Sequence, residues 1–240
     1  MMSVVNNLIV SFNNQGVAQL ENGQYTCALM CFKEALETLK QLIEDPTVNT
    51  DSANTNCPER PFQWSNRHER LSSNTCCDGK RQDMAFIFER AIVLVPPGLE
   101  NCEKYYSTTE FSALLYNFAL TNHILGLNGE HSLSITCLTK ALALYDMAIS
   151  LIQIEADEVK MRSTSAMLAV AILNNMGQIQ QELGMFDSAS TSFELLLQEW
   201  LCLTGEGQAA PSRFMDESDR KGVCMNLYLY SHTPNTAPAA

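Results

Sequence analysis

The sequence predicts a mainly α fold of three helix-turn-helix pairs in series, interrupted by a long insert and accompanied by a small two-stranded β-sheet. Three observations predict it. A small–aromatic–small triple at helical spacing recurs as Ala28/Phe32/Ala35, Ala141/Tyr145/Ala148 and, with leucine in the last place, Ala189/Phe193/Leu196. Each triple follows a helical stretch with a small residue and then a glycine in register: Gly16 and Gly23, Ala119 and Gly126, Gly177 and Gly184. Two segments, MAFIFERAIVLVPP and KGVCMNLYLYSHT, leave that pattern for β-branched or alternating character.

The first pair spans residues 3–44. The mid-helix Gly16 costs roughly 1 kcal/mol against alanine, so its return as Gly177 asks for a reason. Close approach of the paired helix is that reason, with the aromatic of the triple filling the space beside it. Gly23 and Gly184 are placed as left-handed C-caps that end the first helix of their pairs. The insert covers 45–107. Its front, 46–82, is polar and predicted mobile, and 84–95 is predicted as a strand, with a helix as the rival reading.

The second pair covers 108–153. It opens on the capping box Ser107-Thr108-Thr109-Glu110 and has a turn about ten residues too long, holding LNGEHSLSIT. The third covers 163–204, with Asp187 as the N-cap of its second helix. Residues 205–240 are a linker, a predicted strand at 222–231 and a frayed tail. The strands at 84–95 and 222–231 are expected to pair with each other and to cover an end of the helical stack.

A small residue, a turn glycine and then Ala-x3-aromatic together resemble the tetratricopeptide (TPR) repeat. The first copy runs from about Ile9 to Leu42, the second starts near Ser112, and the third runs from about Val170 to Leu203. The family's usual tryptophan is replaced by Phe12, Leu115 and Leu173, and the closing proline is missing from all three. The whole is also similar to a divergent group of TPR-like proteins from unicellular algae. The resemblance implies a short α-solenoid whose first helices line a concave groove.

The groove positions it implies are Asn13, Asn14, Val17 and Leu20 in the first copy, then Tyr116, Asn117, Leu120 and His123, then Asn174, Asn175, Gln178 and Gln181. One of these positions is asparagine in every copy: Asn14, Asn117, Asn175. Asparagine is a mediocre helix former, and its carboxamide both donates and accepts, so a ladder of them can grip the backbone of an extended peptide. The competing reading is that the amides only bridge neighbouring helices. A carboxylate clamp of the kind that TPR domains use for chaperone C-termini is rejected, because Val10, Ala113 and Ala171 stand where basic residues would be needed.

Composition narrows the partners. The net charge is −12 and Lys and Arg are scattered, which argues against nucleic acid and against an anionic membrane surface. No run of eighteen apolar residues is unbroken, and the N-terminus has no basic n-region. Nine cysteines, an odd number, and the lack of an N-glycosylation sequon favour a reducing compartment, cytoplasmic or nuclear. Neither the phosphate-binding nor the hydrolase motifs occur, and the histidines, His68, His123, His131 and His232, form no catalytic pairing.

The expectation is therefore a non-catalytic scaffold that binds a protein or peptide, with no cofactor and no metal. The alternative is a metal- or thiol-dependent sensor or enzyme using Cys57, His68, Cys76 and Cys77 of the insert, whose spacing does not resemble a zinc knuckle. Cys27 and Cys31, one turn apart, are expected to be packing residues. Self-association through an uncovered end of the stack is a third, weaker reading.

Overall fold

The computed structural model describes residues 2–44, 62–65, 86–95, 108–129, 131–158, 163–204 and 215–232. Seven helices, α1 (Met2–Glu21), α2 (Tyr25–Glu44), α3 (Thr108–Asn128), α4 (His131–Glu158), α5 (Ser163–Glu182), α6 (Phe186–Thr204) and α7 (Glu217–His232), account for most of them. Two short strands, β1 (Gln63–Trp64) and β2 (Ile92–Val93), form an antiparallel pair with Gln63 opposite Val93 and Trp64 opposite Ile92. The fold is mainly α with a small two-stranded sheet, as expected.

The chain divides into two compact units. The first comprises Met1–Arg67 and Arg90–Glu158, and the second His68–Glu89 and Val159–Ala240. In the first, α1 packs on α2, α3 on α4, and α2 against α3, so two helical hairpins lie side by side. In the second, α5 packs on α6, and α7 lies against α6.

The first and third hairpins are each locked by a contact that the glycines anticipated. A Cβ built on Gly16 would sit 2.6 Å from the Phe32 ring, and one on Gly177 would sit 2.6 Å from Phe193. Phe32 and Phe193 are buried, together with Ala28, Ala35, Ala189 and Leu196 of their triples. The middle hairpin uses the same triple, with Ala141, Tyr145 and Ala148 fully buried. A mid-helix glycine is thus kept because a ring occupies the space of its side chain.

The two turn glycines behave differently. Gly23 and Gly184 both have φ of 73°, and nothing lies within 4 Å of a Cβ on either. Around each, two bonds close the helix end: Gln24 N–H to Gln19 O (2.9 Å) with Gly23 N–H to Leu20 O (2.9 Å), and Met185 N–H to Gln180 O (2.7 Å) with Gly184 N–H to Gln181 O (3.0 Å). This is the paired 6→1 and 5→2 arrangement of the Schellman motif. Gly23→Ala is therefore expected to cost about 1–2 kcal/mol through backbone strain alone, read as a lower urea midpoint at unchanged slope.

Several expectations are corrected. Residues 222–231 are not a strand but lie within α7, and the partner of β2 is Gln63–Trp64. The apparent alternation of Met225, Leu227 and Leu229 misled, since Met225 and Leu229 are exposed. The buried set is Asp219, Val223 and Asn226, which has helical spacing. Residues 62–65, placed in the polar front of the insert, supply β1; the rest of 46–82 lies outside the described residues.

The long turn of the second pair is absorbed into its helices, which run to Asn128 and from His131. Gly126 consequently sits inside α3, where a Cβ would come within 2.9 Å of Leu138. Asp187 lies in the first turn of α6 and not before it, where its charge favours the positive end of the helix dipole. Cys27 is exposed and Cys31 half-buried, both free thiols, so Cys27 is not a packing residue. Burial first, and then the neighbouring Cys27, push the Cys31 thiol above its ordinary range.

Candidate functional site

In each unit a stretch of chain, 90–94 in the first and 86–88 in the second, meets side-chain amides from that unit's own helices. In the first unit, α1 and α3 present Asn13, Asn14, Tyr116 and Asn117 to residues 90–94. Asn117 Oδ1 accepts the Ile92 N–H at 2.8 Å while its Nδ2 donates to the Ile92 carbonyl at 2.8 Å. Asn14 does the same for Leu94, accepting at 2.9 Å and donating at 2.8 Å. Asn13 Nδ2 donates to the Ile92 carbonyl at 2.9 Å, and the Tyr116 hydroxyl donates to the Arg90 carbonyl at 3.0 Å.

In the second unit, α5 and α7 treat residues 86–88 in the same way. Asn175 takes both backbone groups of Phe88, at 2.8 Å to the N–H and 2.9 Å to the carbonyl. Asn226 takes both groups of Phe86, at 2.9 and 2.6 Å, with a further bond at 3.1 Å from Asn174 Nδ2 to the Phe86 carbonyl.

The geometry follows from the pleat. In an extended chain the N–H and C=O of one residue point the same way, and those of the next residue point the opposite way. A carboxamide held flat against the strand can therefore satisfy both groups of one residue, as a neighbouring strand's peptide would. In the first unit the residues gripped this way, Ile92 and Leu94, lie on one edge, with Arg90 on that edge held by Tyr116; in the second unit Phe86 and Phe88 are gripped in the same manner. In the first unit the opposite edge is covered by β1: the Ser65 N–H donates to the Ala91 carbonyl at 2.7 Å, and Ser65 Oγ accepts the Ala91 N–H at 3.1 Å. The Arg90 Nε–H also donates to the Ser65 carbonyl at 2.9 Å.

The amides also bond to one another. Asn117 Nδ2 donates to Asn13 Oδ1 at 2.8 Å, and in the second unit Asn226 Nδ2 donates to Asn174 Oδ1 at 2.7 Å. Adjacent Asn13 and Asn14, and adjacent Asn174 and Asn175, are bonded at 3.0 and 3.1 Å. Bridging between helices and gripping of a backbone are therefore not alternatives here. The bridge fixes the rotamer that performs the grip, and every buried donor and acceptor of these amides has a use.

Six of the twelve groove residues expected from the resemblance make these contacts: Asn13, Asn14, Tyr116, Asn117, Asn174 and Asn175. The other six do not hydrogen-bond to the segment. Val17, Leu20 and Leu120 are core residues, Gln178 is buried with its Nε2 unpartnered, and Gln181 is half-buried. His123 is correctly placed on α3 but sealed from solvent, edge-on to Tyr145 at 6.2 Å, with neither ring nitrogen hydrogen-bonded.

Burial pushes the His123 imidazole down to about 3. The unfolded chain takes up that proton near pH 6.5 whereas the folded chain does not. Stability from this residue is therefore full above about pH 6.5 and is lost as pH falls from there toward 3, at up to about 1.4 kcal/mol per pH unit. His123→Phe, which removes the proton site and both orphaned nitrogens, is expected to flatten the decline of urea-derived stability between pH 6.5 and 4. An unchanged slope would contradict the assignment.

Sequence reasoning missed Asn226, Ser65 and Arg90. Asn226 had a signal, since Asp219, Val223 and Asn226 share a helical face, but the period-two reading of the same stretch hid it. Gly222 has a counterpart role: its missing side chain admits the Phe86 ring against α7. Among the described residues no group of three His, Cys, Asp or Glu is placed to hold a metal. Cys57, His68, Cys76 and Cys77 lie outside the described residues. No family model matches the chain, and no curated protein or solved structure shows significant similarity to it.

Proposed function

We propose that the chain is a non-catalytic protein-interaction module, a divergent TPR-like set of helix pairs that holds an extended polypeptide by its backbone. The observation that supports this reading most directly is the double engagement of Phe86, Phe88, Ile92 and Leu94, each through both N–H and C=O, by Asn226, Asn175, Asn117 and Asn14. Such contacts recognise chain geometry, which any residue except proline offers, and leave the choice of side chain to the surrounding pockets. The partner in this reading is a protein or peptide segment, in a reducing compartment such as the cytosol or nucleus, with neither nucleic acid nor membrane involved.

Selection of a displayed random-peptide library on the full-length chain tests the proposal. Enriched peptides are expected to lose at least tenfold in affinity on the Asn117→Ala/Asn175→Ala variant, with helical circular dichroism confirming that the variant is folded. No enrichment, or equal affinity for both proteins, would count against it.

A further inference from the structure

In the first unit α2 and α4 are the second helices of their hairpins, but their outer faces differ in kind. The exposed face of α2 carries Lys33, Glu34, Glu37 and Lys40, as a solvated surface does. Between Leu133 and Ile154, α4 has only two charged residues, Lys140 and Asp146, and both are exposed. Met147 and Ile154 are 52% and 62% exposed on one helical face with exposed Ala143 at its middle, and Leu133 flanks that face at 50%. A nearly uncharged helical face of this length, turned outward, marks a contact with another body.

We propose that this body is a second copy of the chain, with α4 packed antiparallel on α4 about a two-fold axis at Ala143. The charges select both the partner and the direction. Lys140 lies three residues before Ala143 and Asp146 three residues after it, so in an antiparallel pair each Lys140 meets the Asp146 of the other copy at the same height. A parallel pair would set lysine beside lysine and aspartate beside aspartate, which repels. The antiparallel register also puts Met147 against Thr139 of the other copy, with small Ala143 at the point of closest approach. The face therefore satisfies both of its charges with a copy of itself, as an isologous contact requires. Lys140 Nζ lies 4.8 Å from the centre of the Phe118 ring, a contact that fixes the ammonium through its charge and leaves N–H donors for a carboxylate.

Size sets the strength. The 22-residue stretch Leu133–Ile154 is about 33 Å long and about 10 Å wide, a footprint of about 330 Å² per copy against the ~800 Å² per partner of a standard interface. The dimer is therefore weak and dissociates on dilution. A bilayer is the rival occupant for a helix this apolar, but the other face of α4 carries Tyr145, Ala148 and Ile152, all at most 1% exposed, so lipid cannot surround it. The proposal is independent of the interaction-module reading, since no asparagine of the ladder takes part.

Sedimentation equilibrium of the full-length chain over a hundredfold dilution range tests it, at about 0.15 M salt, where the net charge of −12 on each copy is screened beyond about 8 Å. The wild type is expected to show a reversible monomer–dimer equilibrium. Asp146→Lys, which sets lysine against lysine, is expected to weaken the dimer at least tenfold, and Lys140→Asp/Asp146→Lys, which restores opposite charges in the same register, to bring it back to within about threefold of wild type. Met147→Asp, which leaves both original charges in place, is expected to weaken it at least tenfold as well. All of these positions are exposed, and helical circular dichroism confirms that each variant is folded. A monomer at every concentration would overturn the proposal, as would a dimer indifferent to Asp146→Lys or a double variant no tighter than the single one. Monomeric protein that floats with phosphatidylcholine vesicles would also overturn it and give the face to lipid.

Discussion

Asn117→Ala is expected to destabilise the protein by about 3–5 kcal/mol. Asn117 has no exposed surface. Its loss leaves the Ile92 N–H and Asn13 Oδ1 without partners in a place water does not reach, whereas the Ile92 carbonyl keeps its bond from Asn13 Nδ2. Each buried orphan costs about 1–3 kcal/mol, the small cavity adds to this, and the better helix propensity of alanine returns about half a kcal/mol. Asn14→Ala removes a similar pair of bonds from Leu94, but Asn14 is half-buried. Water can take its place, so about 1–2 kcal/mol is expected there. Urea unfolding of the two variants measures the contrast, and equal costs would mean that the ladder is not ordered by burial as described.

The second large effect lies in the hairpin lock. Phe32→Ala empties a fully buried site beside Gly16 and is expected to cost about 3–5 kcal/mol. Gly16→Ala acts on the same space from the other side and is expected to cost about 1–3 kcal/mol by overpacking against the ring, despite the gain in helix propensity. Because the two substitutions share one contact, they do not add. Gly16→Ala with Phe32→Leu should be more stable than the sum of the single variants by about 0.5–3 kcal/mol. Strict additivity in a double-mutant cycle would show that Gly16 answers to something other than the ring, and the close-approach account of the repeated glycine would fall.

Much of this architecture was legible in the residues because its determinants are local. Helix pairs announce themselves through period and punctuation: Gly16 and Gly177 against Phe32 and Phe193, then Gly23 and Gly184 at the caps. These depend on contacts within one hairpin, so spacing alone locates them. The ladder was half legible. Asn13, Asn14, Asn117, Asn174 and Asn175 stood out as poor helix formers repeated in register, which signalled that a helical face was being used. What they hold was not legible, because the grip is on backbone and leaves no imprint on the sequence of the segment gripped. FIFERAIVL reads as a β-branched and aromatic run, predicted as a strand with a helix as the rival, and nothing in it names the side chains that hold it.

The failures have a physical pattern of their own. Asn226 was missed because α7 is short and weakly amphipathic, so a few alternating residues outvoted Asp219, Val223 and Asn226. β1 was missed because two residues of strand, Gln63 and Trp64, carry no periodicity. His123 was placed on the right helix but given the wrong neighbour. Position along a helix does not reveal whether its face meets a ligand or the Tyr145 ring.

Native-state hydrogen exchange resolved to single amides tests the central claim most directly. If asparagine side chains hold the extended segment by its backbone, the Phe88, Ile92 and Leu94 amides exchange far more slowly than in an unfolded peptide. Phe88 should then lose its protection selectively in Asn175→Ala, and Ile92 in Asn117→Ala. Exchange of these amides at unfolded-chain rates in the folded protein would contradict the account.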